Sequence, residues 1–207
     1  RISMFWHADP CPFEVRSVWH HFVSAWSNFH INFYNDATAE QAIYFGADMA
    51  RIFRDCRIPA MRSDLFRLLI CYAQGGGWID VKFKPRFPPD PIFDKLDDYQ
   101  LVCSRWQHGR IVNGVFFCQK QSEILGDLIN TAEANIKNRM YRNISLITGP
   151  GMWAKVLGKY VEGGDFYVIT RDYLFPYHLK GFSFDLNGRG TKWHWSERQK
   201  HESLYFS

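Results

Sequence analysis

The sequence predicts a layered α/β domain with a mixed central sheet flanked by helices. Three observations carry this. Apolar runs and helical periodicities alternate in β-α-β-α order over the first fifty-odd residues. A helix with one apolar face stops at Gly75–Gly77 and gives way at once to an extended run. Two more strand-like runs flank His108 and Gly109 as a hairpin. The length of 207 residues suits a single domain with a substantial core.

Taken in order, Ile2 to His7 is a short apolar strand. Pro12 then opens a helix carrying Val15, Val18, Trp19, Phe22, Val23 and Trp26. His30 to Tyr34 alternates as a strand and ends in the turn residues Asn35 and Asp36, and Thr38 to Cys56 reads as one helical stretch. From Pro59, Met61, Leu65, Leu68, Leu69 and Tyr72 mark one helical face. Trp78 to Phe83 is the next strand. Past the proline-rich stretch 85–91, the strands Gln100–Trp106 and Ile111–Cys118 follow, and Ser122 caps a helix to about Asn138. Thr148-Gly149-Pro150 leads into another helix, and the last forty or so residues read as short strands and turns.

Composition narrows the function classes. Hydrophobic residues make up 46% and charged residues 22%, which excludes a disordered chain. A mean hydropathy of -0.30 argues against a multi-span membrane protein. The 25 basic and 21 acidic residues leave a net charge of +4, too modest to establish nucleic-acid binding and compatible with an anionic ligand. Five widely spaced cysteines without CxxC spacing fit reduced core thiols better than disulfides or zinc. Without a long apolar run or the form of a signal peptide at the start, a cytoplasmic or membrane-peripheral location is expected.

The chemistry concentrates in residues 59–83, PAMRSDLFRLLICYAQGGGWIDVKF. On the helix, Ser63, Asp64 and Arg67 share a polar sector away from the leucines, a sector able to hold hydroxyls. On the strand, alternation places Trp78, Asp80 and Lys82 on one face, about 7 Å apart. Gly76 and Gly77 exceed what a helix stop needs and permit close backbone approach to a ligand. Each element alone reads more plainly: an isolated Asp-x-Lys is usually a solvated pair, and Ser-Asp-x-x-Arg a surface face. Their joint spacing favours a site. The arginine run Arg51, Arg54, Arg57 and Arg62, interleaved with Asp48, Asp55 and Asp64, reads as a solvated face with local salt pairs.

S-D-x-x-R, an apolar stretch, G-G and aromatic-x-D-x together resemble glycosyltransferase family 32. These DXD-type sugar transferases include fungal α-mannosyltransferases and bacterial polysaccharide enzymes, with clostridial glucosylating toxins more distant. FWHADP, INFYND, Asn113 in IVNGVFF and Thr148-Gly149-Pro150 extend the resemblance over residues 1–155. It implies a GT-A-like nucleotide-sugar-binding fold in one domain, with 1–120 binding the donor and 121–207 supplying the acceptor side and a closing segment. It further implies a UDP- or GDP-sugar donor, a divalent metal, a glycan or lipid-linked acceptor, and transfer with retention. No nucleic-acid polymer is among the expected partners. By position, Trp6 would stack on the donor base, Asp64 and Arg67 would hold ribose or sugar hydroxyls, and Asp80 would be the first D of D-x-D. Gly76, Gly77, Asn113 and His194 complete the implied donor site, His194 by analogy with a histidine or Ser-Trp pair that closes over the diphosphate. A surface hairpin with stacked aromatics is the plainer reading of Trp193 to Ser196.

The departure lies at the second D, which here is Lys82. In the family pattern that carboxylate binds metal, and the metal neutralises the departing diphosphate. Lys82 is expected to take over part of this task as a point charge, so that dependence on Mn²⁺ or Mg²⁺ is weak or absent. The competing expectation keeps a metal on Asp80, with Lys82 contacting sugar or acceptor. On either view Asp80 and Lys82 are the catalytic candidates. A non-catalytic sugar-nucleotide or glycan-binding domain is the alternative, and a nucleic-acid-binding protein using the arginine run and the aromatics is a rival of another class.

Overall fold

The computed structural model describes residues 1–43, 46–83, 85, 89–106, 109–170 and 194–206. Six strands form one sheet: β1 (Ile2–Phe5), β2 (Ile31–Tyr34), β3 (Gly76–Ile79), β4 (Leu101–Arg105), β5 (Ile111–Cys118) and β6 (Phe166–Thr170). Their order is β2-β1-β3-β5-β4-β6. β1 runs parallel to both β2 and β3, β5 runs antiparallel to β3 and β4, and β6 runs parallel to β4. The sheet is therefore mixed, as expected. Every residue of β1 and β5 is buried, because helices or loops cover both faces of the sheet.

One face receives α3 (Gly46–Asp55), α4 (Pro59–Gln74), α6 (Glu123–Lys137), α7 (Ile144–Ile147) and α8 (Pro150–Leu157). The other is covered by α1 (Phe13–Ala25) and α5 (Asp90–Phe93), over Ile2, Met4, Ile79, Val115 and Phe117. In α1, Val15, Val18 and Phe22 are buried, as is Trp26 at its C-cap, whereas Val23 is exposed. In α6, the Ser122 side chain accepts from Leu125 N at the N-cap, as the sequence indicates.

Several elements differ from the reading. Residues 38–56 are not one helix: α2 (Asp36–Ala42) ends at Ile43, and α3 starts again at Gly46, whose φ is +86°. Asn35 caps α2 in a reciprocal box with Thr38, which starts the helix earlier than the apolar pattern does. The short helix α7 is an addition that a four-residue apolar segment does not announce. Strand β3 begins at Gly76 and ends at Ile79, so Asp80 and Lys82 lie beyond the strand. Near the terminus, α9 (Trp195–His201) replaces the hairpin reading of this region, with His194 as its N-cap; Trp193 lies outside the described residues, as does His108 of the β4–β5 connection. The five cysteines are free thiols, four of them buried.

The triple glycine is explained by packing. Gly75 (φ +67°) ends α4, and a Cβ on Gly76 (φ +92°) would lie 2.3 Å from the Arg1 carbonyl oxygen. A Cβ on Gly77 would lie 2.6 Å from the Phe117 ring. Gly76→Ala is expected to cost about 1–3 kcal/mol through strain and overpacking. Urea unfolding followed by tryptophan fluorescence measures it, and an unshifted midpoint would contradict this account.

Candidate active site

The strongest polar constellation begins at the carboxyl end of β3. The Asp80 N–H donates to the Gly114 carbonyl at 2.8 Å, extending the ladder with β5 by one bond. The chain then turns, and the Phe83 N–H donates back to the Asp80 carbonyl at 3.1 Å. Asp is favoured at the first position of such a turn. Val81 and Phe83 bury their side chains in the core beneath it. Asp80 and Lys82 thus meet through a turn, not through strand pleating, and their Oδ2 and Nζ atoms lie 3.0 Å apart. Both side chains are partly exposed, Asp80 by 18% and Lys82 by 35%.

Behind this pair stands a buried network. Arg67 Nη2 lies 3.0 Å from Asp64 Oδ1 and 3.3 Å from Asp80 Oδ1. Arg67 also donates to the Ser63 carbonyl and hydroxyl and to the Asn113 carbonyl, and its guanidinium packs 5.1 Å from the centre of the Trp78 ring. The Asn113 side-chain amide donates to Asp64 Oδ1 at 2.9 Å, and the Thr148 hydroxyl donates to Asp64 Oδ2 at 3.2 Å. Trp78 Nε1 donates to Asp80 Oδ1 at 2.8 Å. Asp64, Arg67, Asn113 and Thr148 are all buried.

The polar sector of α4 therefore faces inward. Arg67 donates to protein acceptors, and Asp64 accepts on both oxygens. The two carboxylates differ chemically. Burial pushes the Asp64 carboxyl up, aided by the Asp80 charge and only partly opposed by Arg67, Asn113 and Thr148. Burial would raise Asp80 too, but Arg67, Lys82 and the Trp78 N–H together outweigh it and hold the carboxyl below its usual range.

Glycines make room for this arrangement. A Cβ on Gly114 would sit 2.5 Å from Asp80 Oδ2, and one on Gly149 would sit 2.9 Å from Ser145 Cα and 3.3 Å from Asp64 Oδ2. Reading the sequence did not single out Gly114, although a lone glycine inside an apolar strand signals close approach of another group.

The remaining predicted residues fall in different places. Trp6 follows β1, and since β1 and β3 are parallel it lies toward the same end of the strands as Asp80. Its ring packs on His7 at 5.1 Å, and its Nε1 is buried without a partner among the described residues. Gly76 and Gly77 open β3, at the opposite end of the strand from Asp80. His194 is buried, and its Nδ1 lies 2.6 Å from the Ser196 hydroxyl of its own helix. That helix is held beside α7 by Ile144 N donating to Gln199 Oε1 at 3.0 Å. The arginine run pairs with carboxylates: Arg51 with Asp48, Arg54 with Glu40, Arg57 with Glu202 and Arg62 with Asp36. A cleft of about 270 Å³ lies between α3, the end of α6 and Tyr205, and one of about 230 Å³ between Arg57, Arg139 and Tyr205; neither is lined by Asp80 or Lys82.

The described residues around Asp80 supply it with counter-charges. Its carboxylate already faces the cations of Arg67 and Lys82, and Asp64 accepts hydrogen bonds on both oxygens. Among the described residues no group of three acidic, histidine or cysteine side chains could hold a metal ion. No described helix is long and apolar enough to cross a membrane.

No family model and no curated protein sequence matches the chain. Solved structures do. The PaToxG glycosyltransferase superposes with a TM-score of 0.56 at 15% identity, covering 76% of this chain and 67% of that one. The ligand-free glycosyltransferase domain from the YGT toxin superposes with a TM-score of 0.54 at 9% identity, covering 95% and 81%. The chain thus has an α/β fold of the GT-A glycosyltransferase type.

Removing one member of the network strands the others. Asp64→Ala should cost about 3–5 kcal/mol by leaving Arg67 short of a buried counter-charge. Thr148→Val removes a single neutral donor and should cost about 1 kcal/mol. Urea titrations of both variants test the contrast, and equal losses would contradict it. The pH dependence follows from Asp80. Its folded value is depressed, so its stabilisation is complete above the ordinary value of 3.8 and is lost as pH falls through the folded value. The stability gap between wild type and Asp80→Asn should therefore be widest above pH 4 and close at more acidic pH. A gap independent of pH would refute the assignment.

Proposed function

We propose that this protein is a glycosyltransferase that moves a sugar from a nucleoside-diphosphate donor to a glycan or lipid-linked acceptor, with Asp80 and Lys82 at the reacting end. The observation that carries this reading is the partly exposed Asp80–Lys82 pair at the carboxyl end of β3, backed by the buried Arg67. Carboxyl ends of strands in α/β sheets are where ligands bind. The glycosyltransferase fold and the motif resemblance of residues 1–155 to family 32 support the same conclusion.

In this reading Asp80 orients donor hydroxyls, and Lys82 meets the diphosphate oxygens. The acceptor oxygen forms the new bond to the anomeric carbon while the bond to the diphosphate breaks, its electron pair leaving with the phosphate oxygen. The charge that develops there is what the Lys82 ammonium stabilises. The acceptor proton leaves with the diphosphate or passes to solvent; no side chain is assigned as nucleophile. Retention, by likeness to family 32, belongs to the proposal, as does Trp6 as the stacking partner of the uracil or guanine base. Lys82 supplies the positive charge that the metal provides in the D-x-D pattern, so transfer should run without Mn²⁺ or Mg²⁺.

Donor turnover with UDP- and GDP-sugars, in EDTA and in added Mn²⁺, tests the proposal. Transfer is expected to persist in EDTA. Lys82→Ala should lower kcat/KM about 100-fold, in the range seen for losing one electrostatic stabiliser. Asp80→Ala should abolish transfer with an unchanged circular dichroism spectrum. Complete loss in EDTA would overturn the role of Lys82, and full activity of the Asp80 variant would remove that residue from the mechanism. Donor binding without transfer or hydrolysis would favour a non-catalytic sugar-nucleotide-binding domain instead.

A further inference from the structure

We infer that Trp78 is a positioning residue, whose indole N–H fixes the Asp80 carboxylate in its working orientation and could not be replaced by another apolar aromatic. The inference rests on the glycosyltransferase reading for its functional consequence, but its physical content stands on contacts within the chain.

Trp78 is fully buried, and its N–H lies 2.8 Å from Asp80 Oδ1. A buried indole has one donor and no acceptor, so this bond is the only use its polar atom can have. The two residues are separated by one position at the end of β3. Trp78 is still paired in register with Phe116, whereas Asp80 is past the last strand residue, where the chain begins to turn. Nothing in the pleat would hold the Asp80 side chain there.

The indole acts in two directions. Its edge engages Oδ1, and its face carries the Arg67 guanidinium at 5.1 Å, which itself lies 3.3 Å from the same Oδ1. Oδ1 is thereby occupied from behind by Trp78 and Arg67. Oδ2 is left facing Lys82 at 3.0 Å, with Gly114 too small to block it. Among the described residues the other charged group nearby is Asp64 on α4, while β5 brings only the uncharged Asn113 and Gly114. Trp78 therefore divides the carboxylate into a structural oxygen and a working oxygen. A ring without the N–H would keep the packing under Arg67 and release the rotation of the carboxyl group.

The protein contains its own control. Trp153 of α8 is likewise fully buried, packs on Phe116 at 4.9 Å, and has no partner for its Nε1 among the described residues. Trp→Phe at the two positions removes the same atoms from the core, but only at 78 does it remove a bond to Asp80. The experiment compares Trp78→Phe and Trp153→Phe for sugar transfer, with kcat expressed per folded molecule. It also measures urea midpoints of each variant alone and combined with Asp80→Ala. Trp78→Phe is expected to lower kcat/KM about tenfold, and Trp153→Phe to leave it within twofold. In the unfolding series, Trp78→Phe and Asp80→Ala should be strongly non-additive, whereas Trp153→Phe and Asp80→Ala should add. Equal activity losses in the two tryptophan variants, or additive midpoints for the 78–80 pair, would overturn the inference. If the wild-type chain transfers no sugar, the glycosyltransferase reading fails, and the unfolding series alone decides whether Trp78 acts through Asp80.

Discussion

A buried guanidinium is tolerated only where its charge and its five N–H groups find partners, since leaving the charge unmatched costs several kcal/mol. Arg67 meets this condition by drawing together acceptors from three separate elements. Ser63 and Asp64 come from its own helix, the Asn113 carbonyl from the middle of the sheet, and Asp80 from the end of β3. Helix α4 is thus held to the sheet by polar bonds as well as by its leucines. Asp80 is left with one side committed to the protein.

The same arrangement explains why two carboxylates so close together can coexist. Arg67 is shared, but the remaining partners are not. Asp64 has only neutral donors besides the arginine, whereas Asp80 has the ammonium of Lys82 at the protein surface. Burial pushes the Asp64 carboxyl up, whereas the cations beside Asp80 hold its carboxyl down. A fully buried carboxylate thus supports a partly exposed one.

Much of the fold was legible because local signals agreed with tertiary ones. Strands β1, β2, β4 and β5, the helix from Pro59 and the Ser122 cap all follow apolar periodicity together with a capping or breaking residue. The reading failed where the deciding contact is remote in sequence. The apolar pattern runs on past Ile79, where β3 ends and the chain turns with the Phe83 N–H returning to the Asp80 carbonyl. The polar sector of α4 looks solvent-facing on a helical projection, because its partners Asn113 and Thr148 are 49 and 84 residues from Asp64. A usable signal was present in Asn113, a polar residue inside an otherwise apolar strand that must find a partner once buried. Gly76 and Gly77 invited a ligand-binding reading, although the groups lying close to them are Arg1 and Phe117.

The burial gradient across the cluster bears on how such a chain can diverge. Replacing residue 64 or 67 alone would pass through an intermediate with a poorly matched charge in a dry interior, so these two positions change most easily in concert. Position 82 sits at the rim, with a third of its side chain in water. There a reversal of sign meets solvent on one side, and an ancestor could try it without first sacrificing the folded state. Descendants of a common scaffold should accordingly be stubborn at the centre of this knot and inventive at its edge.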